Sequence, residues 1–183
     1  MFVYVQSDSR EILREADGWV YNMALHGEKW IKEIKRAKKP FLLVHGGFQG
    51  KMAKIEEIGE FAREHKPKLV IAPDVYREHE VTLFLTGLFV EKCPELVEKS
   101  AAVIQGGVEV LEETVKQYDE WGFEWLAIPS DNPVIELIEW FKEQGWRIHV
   151  LGARFTSFPV GADSVDVVVS KYEQDMLKVL RWL

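Results

Sequence analysis

AAVIQGGVEVLEETVKQYDEWGFEWLAIPS, residues 101–130, contains one complete structural unit. AAVIQ (101–105) is a short, almost wholly apolar run, the pattern of a parallel strand buried on both faces. Leu111, Val115 and Tyr118 then recur at helical spacing among Glu and Lys. Gly122 stands where that helix should stop, and FEWLAIPS (123–130) reads as the next strand.

The same alternation extends in both directions. Upstream lie FVYVQ (2–6), WVYNM (19–23), FLLVH (41–45) and LVIAPD (69–74); downstream lie RIHVLG (147–152) and SVDVVVS (164–170). Further helical stripes run through Met52, Ile55, Ile58 and Phe61, and through Leu137, Ile138 and Phe141. Ser7, Asp8 and Ser9 precede one helix as caps, Ser130, Asp131 and Asn132 precede Pro133 at the start of another, and Gly145 closes it. Eight strand–helix units of about 23 residues each predict a compact (β/α)8 TIM barrel, with an open doubly wound parallel sheet as the alternative. No Pro/Gly/Ser linker divides the chain, so 1–183 reads as a single domain.

Composition narrows the function. The 183 residues carry a net charge of −7, so any nucleic-acid contact has to be local. The lone Cys93 excludes a disulfide framework and any multi-cysteine zinc motif. With no signal peptide ahead of Phe2 and no apolar run of membrane-spanning length, the expectation is a cytoplasmic protein with no membrane partner. Abundant Glu and Lys, with Asn only at 22 and 132, form a balance that hyperthermophile proteins favour.

In a barrel the chemistry sits at the carboxyl ends of the strands. Here those ends carry Gln6 and Asp8, Asn22, His45 and Gln49, Asp74, Gln105, Ser130 and Asp131, Arg154, and Asp163, Asp166 and Ser170. Two of them also carry glycine pairs, Gly46 with Gly47 and Gly106 with Gly107, where a ligand can approach the backbone closely. Neither pair has the spacing of a phosphate loop or a dinucleotide fingerprint. The basic run from Lys29 to Lys39 falls in the last turns of a helix, where cations complement the helix dipole on the face opposite the expected site.

Four segments, taken in order, resemble the tRNA-guanine transglycosylase superfamily, including its DNA-modifying branch that installs 7-deazaguanines. They are FLLVHGGFQGKM (41–52), LVIAPDVYREHEVT (69–82), VIQGG (103–107) with GFEWLAIPS (122–130), and VGADSVDVVVS (160–170) preceded by HVLGA (149–153). The resemblance implies base exchange: a carboxylate attacks C1′ of a nucleotide, guanine leaves as a covalent glycosyl-enzyme forms, and a 7-deazaguanine replaces it. It assigns Asp166 as nucleophile, Phe48 as the ring's stacking wall, Gln105 as donor to O6 and Asp74 as acceptor from the N1/N2 edge. Gly46, Gly47, Gly106 and Gly107 let the backbone close on the ring, and Ser130 offers an N–H. No metal and no cofactor is implied.

This chain departs from the family pattern in three places. Val44 stands where the family has its acid/base aspartate, so proton transfer falls to His45, whose side chain titrates nearest neutrality. Pro129 and Ser130 replace a Gly-Gly pair, and proline has no N–H. No Cys/His zinc site follows Cys93.

Three functions from different classes therefore stand side by side. The first is a transglycosylase-like enzyme acting on a purine in DNA or tRNA, and the second is a catalytically inactive purine-binding protein or partner subunit. The third is an unrelated small-molecule barrel enzyme. The tryptophans, 7 in number, are many for a small core to hide, which adds self-association into a homo-oligomer as an expectation.

Overall fold

The computed structural model describes residues 1–7, 10–46, 52–153 and 160–168. Eight strands occupy the places the apolar runs mark: β1 (Phe2–Gln6), β2 (Gly18–Asn22), β3 (Phe41–Val44), β4 (Leu69–Ile71), β5 (Ser100–Val103), β6 (Trp125–Pro129), β7 (Arg147–Ala153) and β8 (Ser164–Val168). All pair in parallel and in sequence order, and β8 returns to β1 with Phe2 opposite Ser164 and Gln6 opposite Val168, so the sheet is a closed barrel. The open-sheet alternative is excluded.

The near-continuous hydrophobicity of the runs reflects burial on both faces. Outward-facing Val5, Trp19, Leu43, Val70, Ile104, Leu126, Ile148 and Val165 join the helices in one large core. Inward-facing Tyr4, Val20, Leu42, Leu69, Ile71, Ala101, Val103 and Ala127 fill the barrel itself.

Among the described residues the outer layer holds α1 (Arg10–Glu15), α2 (Glu28–Ala37), α3 (Ile55–His65), α4 (His79–Lys92), α5 (Leu111–Glu120) and α6 (Ile138–Glu143), with short 3-10 turns at Pro94–Lys99, Val108–Val110 and Pro133–Leu137. Asn132 caps the last of these, its side chain accepting from the Val134 N–H, and Gly122 and Gly145 end their helices with φ of 84° and 93°. Two details differ from the sequence reading. Met52 lies ahead of α3 rather than on its stripe, and the described residues between β7 and β8, 160–163, are turn rather than helix. Among the described residues, no helix is long and apolar enough to cross a membrane.

Candidate functional site

The carboxyl ends of the strands open into a cavity of about 680 Å³. Gln6, Asn22, His45, Gly46, Asp74, Gln105, Ser130, Asp131 and Asp166 all line it, so strand ends scattered from position 6 to 166 converge on one space. Phe48, Gly47, Asp8, Gln49, Arg154 and Ser170 lie outside the described residues.

One wall is built from the ends of β3, β4 and β5. His45 Nε2 lies 2.8 Å from Asp74 Oδ1 and 3.2 Å from the Asp74 backbone N–H, and the Gln105 side-chain amide donates to Asp74 Oδ2 at 2.6 Å. The other end of that amide is fixed as well: Gln105 Oε1 accepts from the Arg77 N–H at 2.9 Å. Arg77 sits at a φ of 62°, a left-handed turn that aims its N–H back at Gln105. Gln105 therefore presents its NH2, not its oxygen, to Asp74. His45 and Asp74 are 4% and 16% exposed, so this contact is largely shielded from water.

Asp166 approaches the cavity from the barrel interior. β8 runs Ser164–Val168, so Asp166 is its central residue, and it lines the cavity. β7 carries a register irregularity between Val150 and Ala153, and Gly152, at a φ of 64°, turns its N–H onto Asp166 Oδ1 at 3.0 Å. His149, fully buried, lies with Nε2 3.2 Å from the same oxygen. Among the described residues nothing hydrogen-bonds Oδ2.

A third cluster joins the loops after β4 and β6 across the mouth. The Tyr76 hydroxyl donates to Asp131 Oδ2, and Arg77 pairs with the same oxygen at 3.3 Å. The Tyr76 hydrogen bond, with the Arg77 guanidinium behind it, holds the Asp131 carboxyl below the usual carboxylate range, and the same contact pushes the Tyr76 hydroxyl up.

Several sequence expectations need correction. The Ser130 N–H donates to Leu151 O at 2.9 Å and its hydroxyl to Gly152 O at 2.8 Å, so that amide belongs to the sheet and does not face a ligand. Gly106 and Gly107 border an adjoining hollow of about 310 Å³, which shares Tyr76, Gln105, Pro129 and Asp131 with the main cavity. A Cβ at Gly106 would collide with Val110 and meet His79 Nδ1 at 3.0 Å, so this glycine serves close contact within the protein. Asp163 lies at the amino end of β8, where it accepts from the Ile148 N–H at 2.9 Å and pairs with Lys142 at 3.1 Å. Val44 does face the cavity, which puts an apolar side chain at the position the resemblance gives to an acid/base aspartate.

Sequence reasoning missed His149 and Gly152. The signal was present in RIHVLG: alternation turns Arg147, His149 and Leu151 toward the barrel interior, where a histidine needs polar partners. Among the described residues no group of three or more His, Cys, Asp or Glu is placed to hold a metal ion.

The geometry is that of a (β/α)8 barrel with its polar groups gathered at the carboxyl mouth. Solved structures with the same fold include an orotidine 5'-phosphate decarboxylase from Thermotoga maritima, with a TM-score of 0.63 and 12% identity over 99% of this chain and 98% of that one. KGPDC from Streptococcus mutans, solved in complex with a ligand, is similar at a TM-score of 0.65 and 8% identity, covering 98% and 95%. A putative phosphonomutase from Burkholderia cenocepacia has a TM-score of 0.54 at 12% identity, covering 98% and 91%. At such identities the likeness establishes the barrel and not a family. The sequence matches no protein-family model and no curated protein.

Proposed function

We propose that the mouth of this barrel binds a guanine-type base and exchanges it in DNA or tRNA through a covalent intermediate on Asp166. The observation that carries the reading is the Asp74–Gln105 pair. Gln105 Nε2 uses one hydrogen on Asp74 and keeps a second to give, while Asp74 Oδ2 accepts that bond and has capacity for another. A donor and an acceptor side by side on a cavity wall match a purine edge with O6 beside N1–H and N2–H2. The described residues lining the cavity include no Lys or Arg, and its carboxylates favour a neutral, hydrogen-bonding base over a phosphorylated metabolite.

In this scheme Asp166 Oδ2 attacks C1′ as the C1′–N9 bond breaks, and guanine leaves with the bonding pair, taking up a proton. The N9 of the incoming 7-deazaguanine then displaces the aspartyl ester and releases a proton. Val44 has no proton to give, so both transfers are assigned to His45. The experiment is exchange of labelled guanine into a tRNA transcript and into duplex DNA, with denaturing gels for a covalent protein–nucleic-acid adduct. The expected result is exchange together with an adduct lost in Asp166→Asn; their absence from the wild type overturns turnover.

A further inference from the structure

A fully buried polar side chain lies behind Asp166. His149 is fully buried, with the Tyr4 ring edge-on at 6.0 Å, and its imidazole bridges two β8 residues on the same inner face. Nδ1 lies 2.9 Å from Ser164 Oγ, and Nε2 lies 3.2 Å from Asp166 Oδ1. Ser164 is 2% exposed, and among the described residues Nδ1 is the only hydrogen-bond partner of its hydroxyl. A buried hydroxyl hydrogen needs an acceptor, so Ser164 donates to Nδ1. The ring hydrogen is then on Nε2, the form able to donate to a carboxylate.

We propose that Ser164 and His149 form a buried positioning relay: the serine sets the tautomer, and the histidine, with the Gly152 N–H, clamps Asp166 Oδ1 so that Oδ2 faces the cavity. The order reverses that of a hydrolase triad, in which the serine attacks and the carboxylate supports. Here the serine is the innermost member, out of reach of substrate, and the carboxylate is the end that meets it. The inference deepens the reading of Asp166 as nucleophile, and its catalytic consequence rests on that reading. A carboxylate free to pivot by about 1 Å loses about 100-fold in rate.

The test uses the full chain labelled with 15N. Long-range imidazole correlation spectra at neutral pH are recorded, and the His149 signals are assigned by their loss in His149→Gln. The expected spectrum is the Nε2–H tautomer, with Nδ1–H mixing in when Ser164→Ala removes the hydroxyl and with the wild-type pattern kept in Ser164→Thr. An Nδ1–H or doubly protonated ring in the wild type overturns the relay without reference to any variant. In guanine exchange, His149→Ala lowers kcat about 100-fold with the KM for guanine unchanged. His149→Gln, which keeps an N–H toward Asp166, recovers a large part of that loss. A wild-type kcat in a folded His149→Ala overturns the relay's role. A wild type that exchanges nothing removes Asp166 as nucleophile, and the tautomer spectrum alone then decides the relay.

Discussion

Gly18→Ala is the smallest change that probes how the barrel interior is filled. Gly18 faces inward on β2, opposite Tyr4 in the ladder. An added Cβ would lie 2.8 Å from Phe2 Cε1, 2.8 Å from Tyr4 Cδ1 and 2.9 Å from Tyr4 Cε1. Carbon atoms rest about 3.5–4.0 Å apart, so the rings have to give by about 0.7 Å. They have little room to do so. Tyr4 is 2% exposed, its centroid is 4.7 Å from that of Phe2, and its far side meets His149. Overpacking of this kind costs about 1–3 kcal/mol. With about 2–4 °C lost per kcal/mol in a chain of this size, the midpoint should fall by about 4–8 °C at a cost of 2 kcal/mol. Far-UV circular dichroism melts measure the fall, and urea titration checks that the m-value is unchanged. A melting temperature within about 1 °C of wild type would mean that Tyr4 and Phe2 are not confined.

Three further outcomes follow from single contacts. Cys93 is fully buried and its thiol is pushed up by that burial, so Ellman's reagent should react slowly with the native protein and at once in denaturant. Tyr118, whose hydroxyl donates to Val103 O at 2.9 Å inside the core, should lose about 1 kcal/mol as Tyr118→Phe in a urea melt. The Asp131 carboxyl is depressed in the folded state, so its bonds to Tyr76 and Arg77 stabilise at neutral pH and are lost as pH falls through its lowered value. A carboxyl 13C titration should place Asp131 below the ordinary range, and Tyr76→Phe should move it back up.

The strands were legible because burial on both faces writes itself as unbroken apolar runs, and FVYVQ and AAVIQ leave little else to read. Glycine at 122 and 145 marked helix ends for an equally local reason. The site was legible only in part, because its geometry depends on stagger between strands that no single run encodes. Asp166 and Asp163 sit three residues apart in one segment, yet the first opens on the mouth and the second pairs with Lys142 at the other end. The Ser130 N–H was free in the sequence and is taken by Leu151 in the sheet. His149 escaped notice because its partners lie on the neighbouring strand, 15 and 17 residues away.

The proposed function stands on Asp74 and Gln105 as a purine-reading edge. Isothermal titration of the pure protein with guanine, 7-cyano-7-deazaguanine and 7-aminomethyl-7-deazaguanine, repeated on Asp74→Ala and Gln105→Ala, tests it most directly. Saturable binding of at least one of these bases is expected, lost in both variants while their circular dichroism stays native. No binding of any of the three to the wild type, or undiminished binding in both variants, would contradict it.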